Sequence, residues 1–340
     1  MLARRGTIKL RNDIPLDLPR LVPSFSSKGF PSIREGKGKN RRDYSESSHA
    51  LEAIGPLIKD SILISAYDLH HEKFKEPERF YNNKELVFID SGGYELQKFY
   101  DSTEPFQPPF EPAPFHYSDY KRVLKNLPTH IPIVIANYDW KSRRKDIPYQ
   151  IEHAEKLFKA YPTFLHNFII KPTGKDKYLM PDKIAKHVKK LKRFDILGVT
   201  EKELADNPLD RLTNLAKLRI IMDKAGVDIP IHVWGGLDPI MTPLYFFMGA
   251  EIFDGISWLR YAYYKGIAVY RDSFGILKLG IEIPFDEARS QAMYNNIKYL
   301  KKLTDQLREF GEKEKEDFSV FTEHKKDFKK VYDIIIKKIK

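Results

Sequence analysis

Two periods of hydrophobicity alternate along the chain. Short runs rich in β-branched and aromatic residues occur at 21–27 (LVPSFSS), 62–69 (ILISAYDL), 86–90 (LVFID) and 131–139 (IPIVIANYD). Four more follow at 164–172 (FLHNFIIKP), 194–200 (FDILGVT), 230–236 (PIHVWGG) and 251–258 (EIFDGISW). Their length and composition predict eight strands. Between them, apolar positions recur at helical spacing, as in YSDYKRVLKNL, QIEHAEKLFKAY, DKIAKHVKKLKRF and DRLTNLAKLRIIMDKAG, the last ending in a Gly226 suited to a helix C-terminus. Strands that alternate with amphipathic helices pair in parallel through helical crossovers. Eight such units predict an α/β fold closed into a (β/α)8 TIM barrel, ahead of an open doubly wound sheet, for which no glycine fingerprint follows the first strand. EARSQAMYNNIKYLKKLTDQLREFGEKEKE and EHKKDFKKVYDIIIKKIK read as helices. The expected division is a barrel over 1–285 and a C-terminal helical appendage over 286–340, packed on or beside it. Two stretches look irregular: the basic REGKGKNRRD at 34–43 and the proline-rich, aromatic YDSTEPFQPPFEPAPFH at 100–116. A loop as long as the second is functional or disordered in most proteins.

In a parallel barrel the reactive groups sit at the C-terminal ends of the strands. Here those ends carry Asp90, Asp139, Lys171, Gly198, Trp234 and Asp254. Three carboxylates on one rim raise one another's proton affinity, and desolvation adds to the cost, so together they favour a site. Singly, each is also ordinary turn or cap chemistry; the stretch VFIDSGGYELQ is readable as a strand running into an Asp-Ser-Gly-Gly turn. Its two glycines would let backbone come close to a ligand beside Asp90. Trp234 reads equally as a core aromatic and as a stacking platform.

Composition narrows the partners. The 340 residues, 42% hydrophobic and 13% aromatic, suit a globular fold with a large core. No cysteine is present, which excludes disulfides, thiolate nucleophiles and cysteine-based zinc sites. The N-terminus MLARRGTIKLRNDIP lacks the apolar core of a signal peptide and no run is long enough for a membrane span, so a cytoplasmic protein is expected. A formal charge of +11 favours a polyanion, nucleic acid first. The segments WKSRRKD (140–146) and REGKGKNRRD are candidates for following a phosphate backbone, though such runs are also common solvated surface.

The strand-end residues resemble the tRNA-guanine transglycosylase family. Its signature Asp-Ser-Gly-Gly-aromatic-Gln corresponds to Asp90, Ser91, Gly92, Gly93 and Tyr94, with Glu95 in place of Gln. Its Phe-Asp pair, with an arginine six residues after the Asp, corresponds to Phe253, Asp254 and Arg260, and ILISAYDLH and IVIANYD resemble two further family strands. The resemblance implies a TIM barrel that exchanges bases in nucleic acid. Asp254 would attack the ribose anomeric carbon, and Asp90 would serve as general acid and base. Asp139 would read the base edge, with backbone at Gly198 and Val199 meeting another edge. Tyr94 and Trp234 would sandwich the base, Ser91 and Gly92 would line its pocket, and Arg260 would bind phosphate or ribose. Lys171 stands where the family has Gln, so its role is open. No cofactor is implied.

The chain departs from the family most clearly in metal. Family members acting on tRNA carry a zinc site of three cysteines and a histidine after the last barrel strand, and this chain has a lysine-rich helix there. His70 and His71 are adjacent and point apart, so no metal is assigned. With no recognisable C-terminal tRNA-binding domain, the chain looks closest in character to the branch of the superfamily that inserts 7-deazaguanine bases into DNA. The expected partners are a free 7-deazaguanine base and nucleic acid, DNA favoured over tRNA. A homodimer stays open. The alternatives are a tRNA-guanine transglycosylase acting on tRNA, a non-catalytic nucleic-acid-binding homologue, and a small-molecule glycosidase or nucleosidase on the same barrel.

Overall fold

In a computed structural model of the protein, residues 2–36, 42–96, 111–138 and 145–339 are described. The strands are β1 (Thr7–Lys9), β2 (Pro15–Asp17), β3 (Arg20–Phe25), β4 (Ser32–Glu35), β5 (Arg42–Ser45), β6 (Ser61–Ser65), β7 (Leu86–Asp90), β8 (Ile133–Ala136), β9 (Leu165–Ile169), β10 (Ile196–Thr200), β11 (Ile231–Trp234), β12 (Ile252–Gly255), β13 (Ala262–Tyr264) and β14 (Ile267–Val269). Eight of them, β3 and β6 to β12, form a closed parallel barrel, with β12 pairing back onto β3 through Asp254 opposite Val22. The chain is a (β/α)8 TIM barrel with a C-terminal helical appendage.

The strand sequences explain the closure. Both faces of every barrel strand are covered, so the runs are almost continuously apolar rather than alternating. The pleat then divides them: Leu86 and Phe88 of β7 join Val22, Leu63, Val134, Leu165, Ile196 and Ile252 inside the barrel, while Val87 and Ile89 pack outward under the helices. All eight expected strands are present, most of them shorter than their apolar runs. At 62–69 the strand stops at Ser65, whose hydroxyl accepts from the Tyr67 N–H and caps a helix over Ala66–His70. The run at 182–194, expected as one helix, is an α-turn over Pro181–Ala185 and a 3-10 helix over Val188–Arg193. Its buried residues Val188, Leu191 and Phe194 recur every three positions, the period of a 3-10 helix. The stretch at 34–43 is in part the hairpin β4–β5, with 37–41 outside the described residues.

The N-terminal end of the barrel is closed. The hairpin β1–β2 contributes Ile8, Leu10 and Leu18 to the interior cluster, and Arg20, at the start of β3, is bonded to Glu85 at 2.6 Å and to the Ser61 hydroxyl. Access to the interior is therefore a matter for the opposite, C-terminal rim. The appendage, helices Phe285–Glu312 and Lys325–Ile339, shares the barrel's outer core. Phe247, on the barrel helix Met241–Phe247, meets the rings of Phe310, Phe321 and Phe328 at 4.7, 5.5 and 5.9 Å. Such aromatic pairs contribute about 0.5–1.5 kcal/mol each beyond area burial, so these helices are bound to the barrel through its own core. Among the described residues no helix is long and apolar enough to cross a membrane.

Candidate active site

Asp254 is the inward residue that follows Ile252 on β12, 6% exposed and at the C-terminal end of its strand. Both carboxylate oxygens are held. Oδ2 accepts from the Ser24 hydroxyl at 2.9 Å, and Oδ1 accepts from the Gly235 N–H at 3.1 Å and lies 3.0 Å from His232 Nε2. Gly235 has φ +78, a left-handed turn open to glycine at little cost, and this turn carries its N–H back toward Asp254. Among the described residues no lysine or arginine pairs with this carboxylate; its one ion-pair neighbour is a histidine. A buried carboxylate oriented by hydrogen bonds, and not neutralised by a fixed cation, keeps its charge available to a substrate.

A second layer stands behind it. His232 is fully buried, and its Nδ1 lies 2.7 Å from Asn167 Nδ2 on β9. Trp234 stacks on the imidazole with ring centroids 4.3 Å apart, and Phe88 meets it edge-on at 5.4 Å. Gly198 makes room for this assembly: a Cβ there would come within 2.6 Å of Trp234 Nε1 and 2.7 Å of Asn167 Oδ1. Neither His232 nor Asn167 was singled out from the sequence, although period-two counting along PIHVWGG puts His232 on the same inward face as Trp234. Trp234 thus has one face against a core residue, and 8% of its surface is exposed. Gly198 O accepts from the Ile170 N–H at 3.0 Å, and the Val199 side chain packs outward in the helix-side core.

Asp90 closes β7, inward by the same alternation that buries Leu86 and Phe88, and pairs in register with Ser65. It stands three strand steps from Asp254 around the rim, an arc of about 14 Å at the usual strand spacing. Ser91 is buried. Gly92 has φ +84, and a Cβ there would meet Tyr67 Cβ at 2.9 Å and Phe115 at 3.0 Å, so the turn after Asp90 requires glycine on two counts. Tyr94 is half-buried; Lys28 Nζ lies 4.4 Å from its ring centroid and donates to its carbonyl, and Arg260 Nη2 lies 3.3 Å from its hydroxyl. Arg260 also donates to the Lys28 carbonyl, so the two motifs, far apart in sequence, meet beside Tyr94.

Glu95, which stands where the resembled signature has Gln, has structural partners. Its carboxylate is buried and accepts from Ser26 at 2.6 Å and Ser65 at 2.8 Å, two donors for two acceptor oxygens. Close by, Asp68 is fully buried and accepts from the Ser27 N–H and hydroxyl. Desolvation, reinforced by the Glu95 charge and only partly offset by Ser27, holds the Asp68 carboxyl well above the usual range. The pair ties the ends of β3 and β6 to the segment that follows Asp90.

Lys171, two residues beyond the end of β9, is bonded through Nζ to Thr200 at 2.8 Å and Glu203 at 2.9 Å. Asp139 lies outside the described residues, as do most of WKSRRKD and the stretch 97–110. The flanks of the other basic segment pair locally, Arg34 with Asp43 and Arg42 with Glu72. The family's zinc does not fit this chain: there is no cysteine, and among the described residues no three His, Asp or Glu side chains converge as metal ligands. His70 and His71 do not point apart: their rings meet edge-on with centroids 4.7 Å apart and pack among Tyr67 and Phe115. No protein-family model matches the chain, and no curated protein is significantly similar to it.

Proposed function

We propose that this protein is a base-exchange transglycosylase that replaces guanine in nucleic acid, DNA in preference to tRNA, with a 7-deazaguanine base. The observation that carries the reading is Asp254, a buried carboxylate with no lysine or arginine beside it among the described residues, fixed by Ser24, His232 and Gly235 on the same rim as Asp90. Oδ1 is committed to two donors, so Oδ2 is the attacking oxygen. Attack on the ribose anomeric carbon forms the C1′–O bond as the C1′–N9 bond breaks, and the electron pair leaves with guanine, which takes a proton from Asp90. The glycosyl ester keeps its carbonyl at Oδ1, where the Gly235 N–H and the imidazole stabilise it.

The second half runs in reverse. Asp90 accepts the N9 proton of the incoming deazapurine, N9 forms its bond to C1′, and the ester breaks to regenerate the Asp254 carboxylate. Two inversions retain the configuration. The two aspartates stand three strands apart on one rim, a base extruded from its stack needs aromatic faces such as Tyr94 and Trp234, and the charge of +11 suits a polyanion.

The test presents duplex DNA, single-stranded DNA and tRNA separately, each with a labelled 7-deazaguanine base. Label is expected in DNA, and Asp254→Asn should lose incorporation by roughly four orders of magnitude or more while remaining folded. Incorporation retained by that variant refutes the mechanism; label in tRNA alone reverses the choice of polymer.

A further inference from the structure

The polar chain behind Asp254 ends in two orphans. Trp234 Nε1 and Asn167 Oδ1 are buried, and neither has a hydrogen-bond partner among the described residues. Both approach the single point where a Gly198 Cβ would sit, at 2.6 and 2.7 Å, so they are no farther apart than the total of those distances. A carboxamide has a donor at one end and an acceptor at the other. One end of Asn167 meets His232 Nδ1, and Oδ1 at the other end shares the space beside Gly198 with the indole Nε1. Turning the amide over would set its NH2 against that N–H, two donors opposed in an interior where an unpaired polar group is costly. The indole therefore keeps Oδ1 on its own side and leaves Nδ2 to donate to His232. An imidazole nitrogen that accepts a hydrogen bond carries no proton, so the ring proton sits on Nε2 and is donated to Asp254 Oδ1.

We infer that Trp234 and Asn167 form a relay that fixes His232 as the Nε2–H tautomer, making His232 a positioning residue that holds Asp254 by a neutral hydrogen bond in place of an ion pair. Calling Asp254 the nucleophile rests on the proposed function; the tautomer does not. A neutral donor aims the carboxylate without cancelling its charge, whereas an imidazolium at 3.0 Å would compete with the sugar's developing cation for the same electrons. Trp234 and Phe88 fix the ring plane, and Gly198 contributes by having no side chain.

The relay is read directly by nitrogen-15 NMR on the full-length protein labelled at histidine, without substrate and at about pH 7. His232→Gln identifies the signals that belong to His232 among the ten histidines. The expected pattern is a bare Nδ1 and a protonated Nε2. A protonated Nδ1 overturns the inference. Asn167→Asp replaces the donor by an acceptor and should move a proton onto Nδ1; a Nδ1 that stays bare in this variant also overturns it. Trp234→Phe keeps a ring over the imidazole but removes the N–H, and a mixture of tautomers is expected. An unchanged signature there removes Trp234 from the relay. Because the signals need no turnover, a failure of base exchange and a failure of the relay are distinguishable.

Discussion

Gly198→Ala puts a methyl group where the barrel interior has no room. The new Cβ would lie 2.6 Å from Trp234 Nε1, 2.7 Å from Asn167 Oδ1 and 3.0 Å from Ile169 Cγ1. None of these is the free end of a flexible side chain: the indole is stacked on His232, and Asn167 is tied to the same ring. Overpacking of this kind costs about 1–3 kcal/mol. Loss of glycine's freedom in the unfolded chain offsets about 0.4–1 kcal/mol, for a net destabilisation of up to about 2.6 kcal/mol. Urea unfolding should show a lower midpoint at unchanged slope. Displacing Asn167 also loosens His232 and hence Asp254, and a shift of about 1 Å at a reacting group lowers turnover up to roughly a hundredfold. Gly6→Ala is the control. Its Cβ would make only an ordinary 3.8 Å contact with Leu18, and its midpoint should stay level or rise slightly. A Gly198→Ala protein as stable and as active as its parent would refute the packing on which the site is built.

Three further outcomes follow from individual contacts. Ser24→Ala removes a hydrogen bond to a buried carboxylate, a loss of about 1.5–3 kcal/mol, and should lower kcat roughly ten- to a hundredfold with little change in KM; equal losses in the two would contradict an orienting role. Gly92→Ala combines positive φ with contacts under or near 3.0 Å to Tyr67 and Phe115, and a destabilisation of about 2 kcal/mol or more is expected from urea curves. Burial, with the Glu95 charge adding to it, raises the Asp68 carboxyl, so Asp68 favours folding most when protonated. Its contribution should be complete below the unfolded Asp value of about 3.9 and decline as pH rises through the higher native value. Glu95→Gln removes the neighbouring charge and should flatten that decline; an unaltered pH dependence of unfolding would show that the two carboxyls do not interact.

The barrel was legible because its signal is local. A strand covered on both faces needs a continuous apolar run, and β7 was found to the residue, from Leu86 to Asp90. Strand ends were less visible where a helix begins at once: Ser65 ends β6 by capping the next turn, yet Ala66 and Tyr67 are as apolar as the strand. The hairpins β1–β2, β4–β5 and β13–β14 have no clear signature in the sequence, because strands of three or four residues carry too few alternations to stand out. Among the site residues, Asp90 and Asp254 were legible as acids at the ends of apolar runs. Ser24, Asn167 and His232 were not, since a buried hydroxyl, amide or imidazole inside a strand looks the same whether or not it has a partner.

The sequence by itself determined which segments are strands, that eight of them alternate with helices, and that acids stand at several of their ends, because periodicity and run length are properties of neighbouring residues. Only the tertiary structure decided which polar groups meet. Asn167, Gly198, His232 and Asp254 lie on four consecutive strands of the barrel, and their contact depends on the stagger at which those strands pair: Asn167 opposite Ile196, Gly198 opposite His232, His232 opposite Ile252. A shift of one residue in any of these pairings would turn one of them outward to the helices. That register is set by closing the whole barrel, a condition no local stretch of sequence contains.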